Sequence, residues 1–175
     1  MAEEKRWYTG MFSSEDWWSL WIGLFFVAVG LLAAATQANW LSGWVISFEK
    51  WVSLSNALAP DTAGVISGLG ALIVSYIVFT AATCVGAYFM GMDMKKYFLA
   101  WTIIYWLSAV LFILSTNAYI QATSIERADF GINWSLSIGG AHYIVALLVG
   151  LLIGNLAPKS FREFMYHGAR PEWYI

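Results

Sequence analysis

One histidine has the residue type and position that could support chemistry. His142 follows Gly139-Gly140-Ala141 inside a long stretch that carries no acidic or basic side chain. Ionisable groups are costly to keep in such stretches, and they commonly mark substrate paths or proton relays. Three interpretations therefore stay open for His142: an interfacial histidine hydrogen-bonded to a neighbour, a substrate-binding group on a transport path, or a cofactor ligand.

The rest of the sequence offers little for catalysis or metal binding. His167 lies beyond the last apolar stretch, so it cannot join His142 as a second ligand. The sequence has no metal-ligand cluster, and no nucleophile can be paired with a second histidine or a buried carboxylate. Cys84 is the only cysteine, which excludes a disulfide framework. We therefore expect no enzymatic activity, no catalytic residue, no cofactor and no metal site.

Asn155 and two glycines are the remaining candidates, near the carboxyl end of the same apolar stretch. The Asn155 amide carries both donors and an acceptor, so it is either a polar helix terminus or a substrate-binding group. Gly150 and Gly154 form a GxxxG pair, which lets a second helix approach closely in lipid. We expect this pair to pack against another helix of the same protein or of an oligomer partner.

The elements that position these residues must lie in a membrane. The chain has 175 residues, of which 60% are hydrophobic and only 11% are charged. A globular domain carries roughly 25% charged residues, and a chain of this length cannot bury such an apolar excess. The surplus must face a lipid bilayer, which is the first expected partner. The formal net charge of −2 argues against nucleic acid.

Four stretches are long and apolar enough to cross a hydrocarbon core of about 30 Å, which needs about 20 helical residues. All nine Lys and Arg residues and all eleven Asp and Glu residues lie outside them. Backbone groups in lipid must bond within their own segment, so we expect helices. The predicted fold class is an all-α polytopic membrane protein with about four transmembrane helices, at residues 17–35, 62–90, 98–121 and 132–156.

The connection between the first two spans also has helical periodicity. One face of residues 41–58 is apolar, and the other face is polar. We expect an interfacial helix there, lying at the outer surface of the bilayer. The apolar positions are Leu41, Trp44, Val45, Phe48, Trp51 and Val52.

The basic residues predict the orientation. Seven of the nine flank the amino terminus, the connection between the second and third spans, and the carboxyl terminus. Only Lys50 and Arg127 lie in the other two connections. Because cytoplasmic connections carry the excess of Lys and Arg, both termini are expected in the cytoplasm.

Several stretches, read in chain order, carry a resemblance to a known family. They are Ser14-Glu15-Asp16-Trp17-Trp18-Ser19-Leu20-Trp21-Ile22-Gly23-Leu24, Met92-Asp93-Met94-Lys95-Lys96-Tyr97, Asn117-Ala118-Tyr119-Ile120-Gln121-Ala122-Thr123, Gly131-Ile132-Asn133-Trp134-Ser135-Leu136, Ala146-Leu147-Leu148-Val149-Gly150-Leu151-Leu152-Ile153-Gly154-Asn155 and Ala169-Arg170-Pro171-Glu172-Trp173-Tyr174-Ile175. Together they resemble the amino-terminal part of the longer bacterial members of the YeiH-type sulfate exporter family. The resemblance covers nearly the whole chain but only the front of the family's length.

Membership would imply a secondary transporter of the bacterial inner membrane, with inverted repeats and discontinuous helices at the substrate site. Residues 1–16 would be a cytoplasmic segment and residues 17–121 a three-span extension. Residues 132–157 would hold the first helix of the transport core. Residues 158–175 would form a cytoplasmic tail that leads to a further span absent from this sequence.

The resemblance also implies sulfate or another small anion as substrate. We expect the 175 residues alone not to transport it, because the second repeat and an intramembrane Lys or Arg are missing. The expected partners are the remaining transporter helices or another membrane subunit. Two other functions stay open: a non-catalytic scaffold subunit of a larger membrane complex, and a pigment or haem subunit that uses His142.

Overall fold

Three long helices dominate the computed structural model, which describes residue 11 and residues 14–36, 46–60 and 68–168. They are α1 (Glu15–Ala35), α2 (Gly68–Phe89) and α3 (Met94–Ser115). At 1.5 Å per residue, their 21, 22 and 22 residues each span about 32 Å, enough to cross a hydrocarbon core. The prediction of a helical polytopic membrane protein is therefore confirmed.

The remaining described elements are short. Between α1 and α2 lie β1 (Ile46–Ser47), a single 3₁₀ turn (Leu54–Asn56) and β2 (Ala59–Pro60). After α3 the chain forms α4 (Ala118–Gln121), α5 (Glu126–Asp129), α6 (Ala141–Leu156) and α7 (Lys159–Met165).

The third span ends earlier than predicted. Its helix was expected to continue to residue 121, but α3 ends at Ser115 and a new turn of helix starts after Asn117. The Asn117 side chain accepts a hydrogen bond from the backbone N–H of Tyr119 at 3.0 Å, which is the usual role of an N-cap. The polar pair Thr116-Asn117 therefore breaks the helix at this end of the bundle.

Trp51 satisfies the backbone groups that this break leaves open. Its backbone N–H donates to the Thr116 carbonyl at 3.3 Å, and its own carbonyl accepts from the Ala118 N–H at 2.8 Å. Its indole Nε1 donates to the Ile113 carbonyl at 2.7 Å. The break is therefore stabilised by a residue that is distant in sequence.

The predicted interfacial helix at 41–58 is wrong over the part that the structure describes, residues 46–58. Residues 46 and 47 form β1, which pairs antiparallel with β2, and Trp51 bridges to the break after α3. These backbone pairings override the helical periodicity. Phe48 packs on Phe112 of α3, with ring centroids 5.4 Å apart. Residues 41–45 lie outside the described residues.

The fourth predicted span is also shorter than expected. Its helix was expected from residue 132, but α6 begins at Ala141 and has 16 residues, about 24 Å. The preceding segment is instead held against α4, because the N–H groups of Leu136 and Ile138 donate to the carbonyls of Tyr119 and Ile120. Gly140, with φ +69°, starts α6 in a left-handed conformation that suits glycine.

The long helices pack so that α3 lies between α2 and α6, while α1 lies against α2. The α2–α3 pair is antiparallel. It is tied by three hydrogen bonds that follow one another along the interface. They join Trp101 Nε1 to Thr80 Oγ1 at 3.0 Å, the hydroxyls of Tyr76 and Thr102 at 2.7 Å, and the Tyr105 hydroxyl to the Leu72 carbonyl at 3.1 Å.

Candidate functional site

His142 lies in the first turn of α6, where α3, α4 and α6 meet. Its Nδ1 is 2.9 Å from the side-chain nitrogen of Gln121, the last residue of α4. Gln121 is only 5% exposed, so this hydrogen bond satisfies a buried amide. The structure thus shows a hydrogen-bonded neighbour for His142, while its role in substrate or cofactor binding stays a prediction.

Aromatic rings complete the surroundings of His142. The ring centroid of Phe112 is 4.8 Å from that of His142, and the ring of Tyr143 lies 4.1 Å away. With the Gln121 amide donating to Nδ1, the ring proton is on Nε2. A half-turn of the amide would present its oxygen to the Nδ1–H of the other tautomer. The hydrogen bond can therefore form with either tautomer of the ring.

Asn155 lies at the other end of α6, and the structure does not bring it near His142. Its side-chain nitrogen donates to the Leu151 carbonyl at 2.7 Å, one helical turn back. The two residues are thirteen positions apart in sequence, which corresponds to about 20 Å along the helix axis. No single small anion can contact both side chains. Asn155 lies near a helix terminus and bonds to its own helix, and a substrate-binding role for it stays a prediction.

Gly150 and Gly154 face open space. A Cβ atom built on either glycine would have no atom within 4 Å among the neighbours outside its own helical turn. The expected close packing of this pair is therefore not made by any helix that the structure describes. Packing of the glycines against a helix outside these residues stays a prediction.

A second polar cluster joins the β1–β2 segment to α5. Lys50 Nζ lies 2.6 and 2.7 Å from the two carboxylate oxygens of Glu126. Glu126 also accepts from the backbone N–H of Thr123 at 2.8 Å and from its hydroxyl at 2.9 Å. The hydrogen bond from Lys50, followed by those from Thr123, lowers the pKa of Glu126 to about 2. The carboxylate is therefore charged at neutral pH.

This cluster and the role of Gln121 were not predicted from the sequence, although one signal was present. Thr123 and Glu126 have the S/T-x-x-E spacing of a capping box, and the N–H of Glu126 lies 3.4 Å from the Thr123 hydroxyl in the reciprocal contact. Nothing in the local sequence pairs Lys50 with Glu126, or Gln121 with His142, because both contacts depend on tertiary structure.

The described residues contain no group of three or more His, Cys, Asp or Glu side chains placed to hold a metal ion. The polar groups of this end instead connect elements to one another. Gln121–His142 joins α4 to α6, and Lys50–Glu126 joins the β1–β2 segment to α5. The arrangement organises one end of a helical bundle.

These helices define a polytopic helical membrane protein. A known membrane protein is similar to this chain in sequence. The chain is 36% identical over 182 aligned positions to a UPF0324 membrane protein of Nitrosomonas europaea. The alignment covers 99% of this chain but 36% of the relative, so the chain spans about a third of the relative's length. No family model matches the chain. No solved structure matches it. The similarity supports a membrane protein related to the UPF0324 proteins.

Proposed function

We propose that this chain is the amino-terminal membrane part of a YeiH-type anion transporter, and that it does not transport sulfate by itself. The observation that carries the proposal is the similarity of 99% of the chain to 36% of a UPF0324 membrane protein. On this proposal the protein is not an enzyme. It supplies helices to a transport path that further helices complete.

The polar content of the described helices supports this proposal. A dianion such as sulfate needs a counter-charge or converging helix amino termini. Helices α2 and α6 contain no Lys or Arg, and α3 has them only in its first turn, at Lys95 and Lys96. His142 and Asn155 lie at opposite ends of α6. An anion site therefore needs groups from elsewhere.

We also propose that the protein lies in the bacterial inner membrane with both termini in the cytoplasm, as the distribution of Lys and Arg indicates. Single cysteines at Ser53 and Lys159, in a Cys84→Ser background, test the orientation. An impermeant thiol reagent added to intact cells should label position 53 and spare position 159. The reverse pattern would invert the topology.

The proposed function is tested by sulfate flux in proteoliposomes. The 175-residue chain should give no uptake above empty liposomes, and the chain expressed with its genomic continuation should give saturable uptake. A matched preparation with the continuation alone tests whether these helices are needed. Saturable uptake by the 175 residues, lost in His142→Leu, would contradict the proposal. A reading frame that stops and is followed by enzyme-subunit genes would instead favour the scaffold alternative.

A further inference from the structure

A large groove separates α3 and α6 over part of their length. Its volume is about 520 Å³, and it is lined by these two helices alone. On α3 the lining residues Ile104, Leu107, Ser108 and Leu111 recur at the i, i+3, i+4 and i+7 positions of one helical face. This spacing gives α3 a continuous stripe along one wall of the groove.

The opposite wall is a matching stripe on α6. Leu147, Gly150 and Leu151 line the groove, and Gly154 continues the same i, i+3, i+4, i+7 pattern by one position. Leu147 is 64% exposed and Leu151 is 53% exposed. The two glycines leave a depression in this wall, because no neighbouring atom lies within 4 Å of a Cβ built on either.

We propose that this groove, which we call the α3–α6 groove, holds an apolar transmembrane helix from the part of the transporter that lies outside these residues. The inference rests on the proposed function. Two neighbouring helices that present parallel side-chain ridges form a groove in which a third helix packs. The relative supplies the length for such a helix, since the alignment leaves most of it uncovered.

The glycines favour a helix over lipid as the occupant. Glycine destabilises a helix interior relative to alanine, and it offers no side chain to lipid. Two glycines one turn apart compensate for this cost when a second backbone approaches closely and gains van der Waals contact. A lipid acyl chain, being flexible, would contact leucine at these positions equally well. A second copy of this chain is the remaining occupant that the experiment must separate.

Photo-crosslinking from two adjacent leucines tests the groove. Leu147 lines it, whereas Leu148 does not and is 53% exposed. p-Benzoylphenylalanine at either position samples the same membrane depth within about 1.5 Å. In membranes that contain the chain with its genomic continuation, the probe at 147 should crosslink to an apolar segment beyond residue 175. The matched probe at 148 should give mainly lipid adducts, identified by mass spectrometry.

Other outcomes would overturn the proposal. Crosslinks from position 147 to a second copy, seen as a doubled mass, would make the groove an oligomer contact. Lipid adducts at both positions would show that lipid, and not a protein helix, occupies the groove. As an independent measure, Gly150→Leu with Gly154→Leu should reduce the protein crosslink from position 147 by about tenfold through overpacking. An undiminished crosslink would remove the glycines from the contact.

The groove and the proposed function can fail separately. Loss of sulfate flux with the crosslink intact would reject the transport substrate and keep the helix contact. Sulfate flux with only lipid at position 147 would keep the transporter and reject the groove. A reading frame without a further apolar helix would reject the proposed function, and the same probe in native membranes would then report whether any protein helix lies there.

Discussion

The two sides of α3 differ in how they meet their neighbours. Toward α2 the contact is held by hydrogen bonds of hydroxyl and indole groups, and it borders an apolar pocket of about 220 Å³ that α2 and α3 form with Ile46 and Phe48. Toward α6 it contains an open apolar groove, and near the carboxyl end of α3 His142 is hydrogen-bonded to Gln121. One helix thus combines a contact held by interhelical hydrogen bonds with one that contains a larger apolar groove.

This difference shows that the two helix pairs are held together in different ways. In lipid, helices gain no hydrophobic advantage from associating, so packing and interhelical hydrogen bonds must hold them together. The α2–α3 pair has both. The α3–α6 pair has packing interrupted by the groove, which is consistent with a third helix at that position.

The largest effect is expected from removing two hydrogen bonds between α2 and α3. Tyr76→Phe with Thr80→Val deletes the bonds to Thr102 and Trp101. Single interhelical bonds in membranes contribute about 0.6 kcal/mol on average and up to about 1.7, so the pair should lose about 1–3 kcal/mol. Thermal unfolding in a mild detergent measures the loss.

A conservative variant separates the hydrogen bond from the packing at position 80. Thr80→Ser keeps the hydroxyl that accepts from the Trp101 indole, whereas Thr80→Val keeps the shape and removes the acceptor. Stability should follow the hydroxyl. Equal melting temperatures for Thr80→Val and the unmodified chain would show that the α2–α3 contact depends on shape alone, and the contrast between the two sides of α3 would disappear.

A smaller effect is expected on the other side of α3. His142→Leu removes the partner of the buried Gln121 amide and should cost about 1 kcal/mol. Asn155→Leu is the matched control on the same helix, since its amide bonds only to its own helix and is exposed. It should change stability by less than about 0.5 kcal/mol. Equal losses would mean that the Gln121–His142 bond has no special role.

The long helices could be predicted from the sequence because their signal is local. Charge-free stretches of about 20 apolar residues identify α1, α2 and α3 from composition alone. Residues 132–140 are also free of charge and were predicted to be helical, but they extend along α4 instead. Lack of charge shows that a segment tolerates lipid, and it does not show whether its backbone pairs with a neighbour.

The candidate site was predictable only in part. His142 was identified by its cost in an apolar stretch, and a hydrogen-bonded neighbour was one of three interpretations left open. Gln121 could not be named as that neighbour, since it lies 21 positions away and reaches His142 only through the turn after α3. The periodicity of 41–58 was misleading for a similar reason, because these residues make tertiary contacts. The backbone of Trp51 forms hydrogen bonds at the break around Thr116-Asn117, and the ring of Phe48 packs against α3.

The smallest effect is expected at the Lys50–Glu126 pair, which holds the β1–β2 segment over the end of α3. The folded-state pKa of Glu126, about 2, lies below its ordinary 4.5. A lowered carboxyl pKa stabilises the folded state above the ordinary value, and this contribution is lost as pH falls from about 4.5 toward about 2. Since the two side chains are 30% and 35% exposed, solvent screening keeps the effect modest.

Hydrogen exchange at Ala118, whose N–H donates to the Trp51 carbonyl, reports the opening of this segment. After correction for intrinsic exchange rates, protection should fall as pH decreases through this range. Glu126→Gln should already show the reduced protection at neutral pH, because its neutral amide lacks the charge that attracts Lys50.

Glu163→Gln is the control, as its partner Lys159 lies 3.6 Å away on an exposed helix face far from Trp51 in sequence. Unchanged protection in Glu126→Gln would assign the attachment of this segment to the Trp51 bonds alone. Reduced protection would show that the attachment of the β1–β2 segment to the end of α3 depends on the Lys50–Glu126 ion pair as well as on the backbone hydrogen bonds of Trp51.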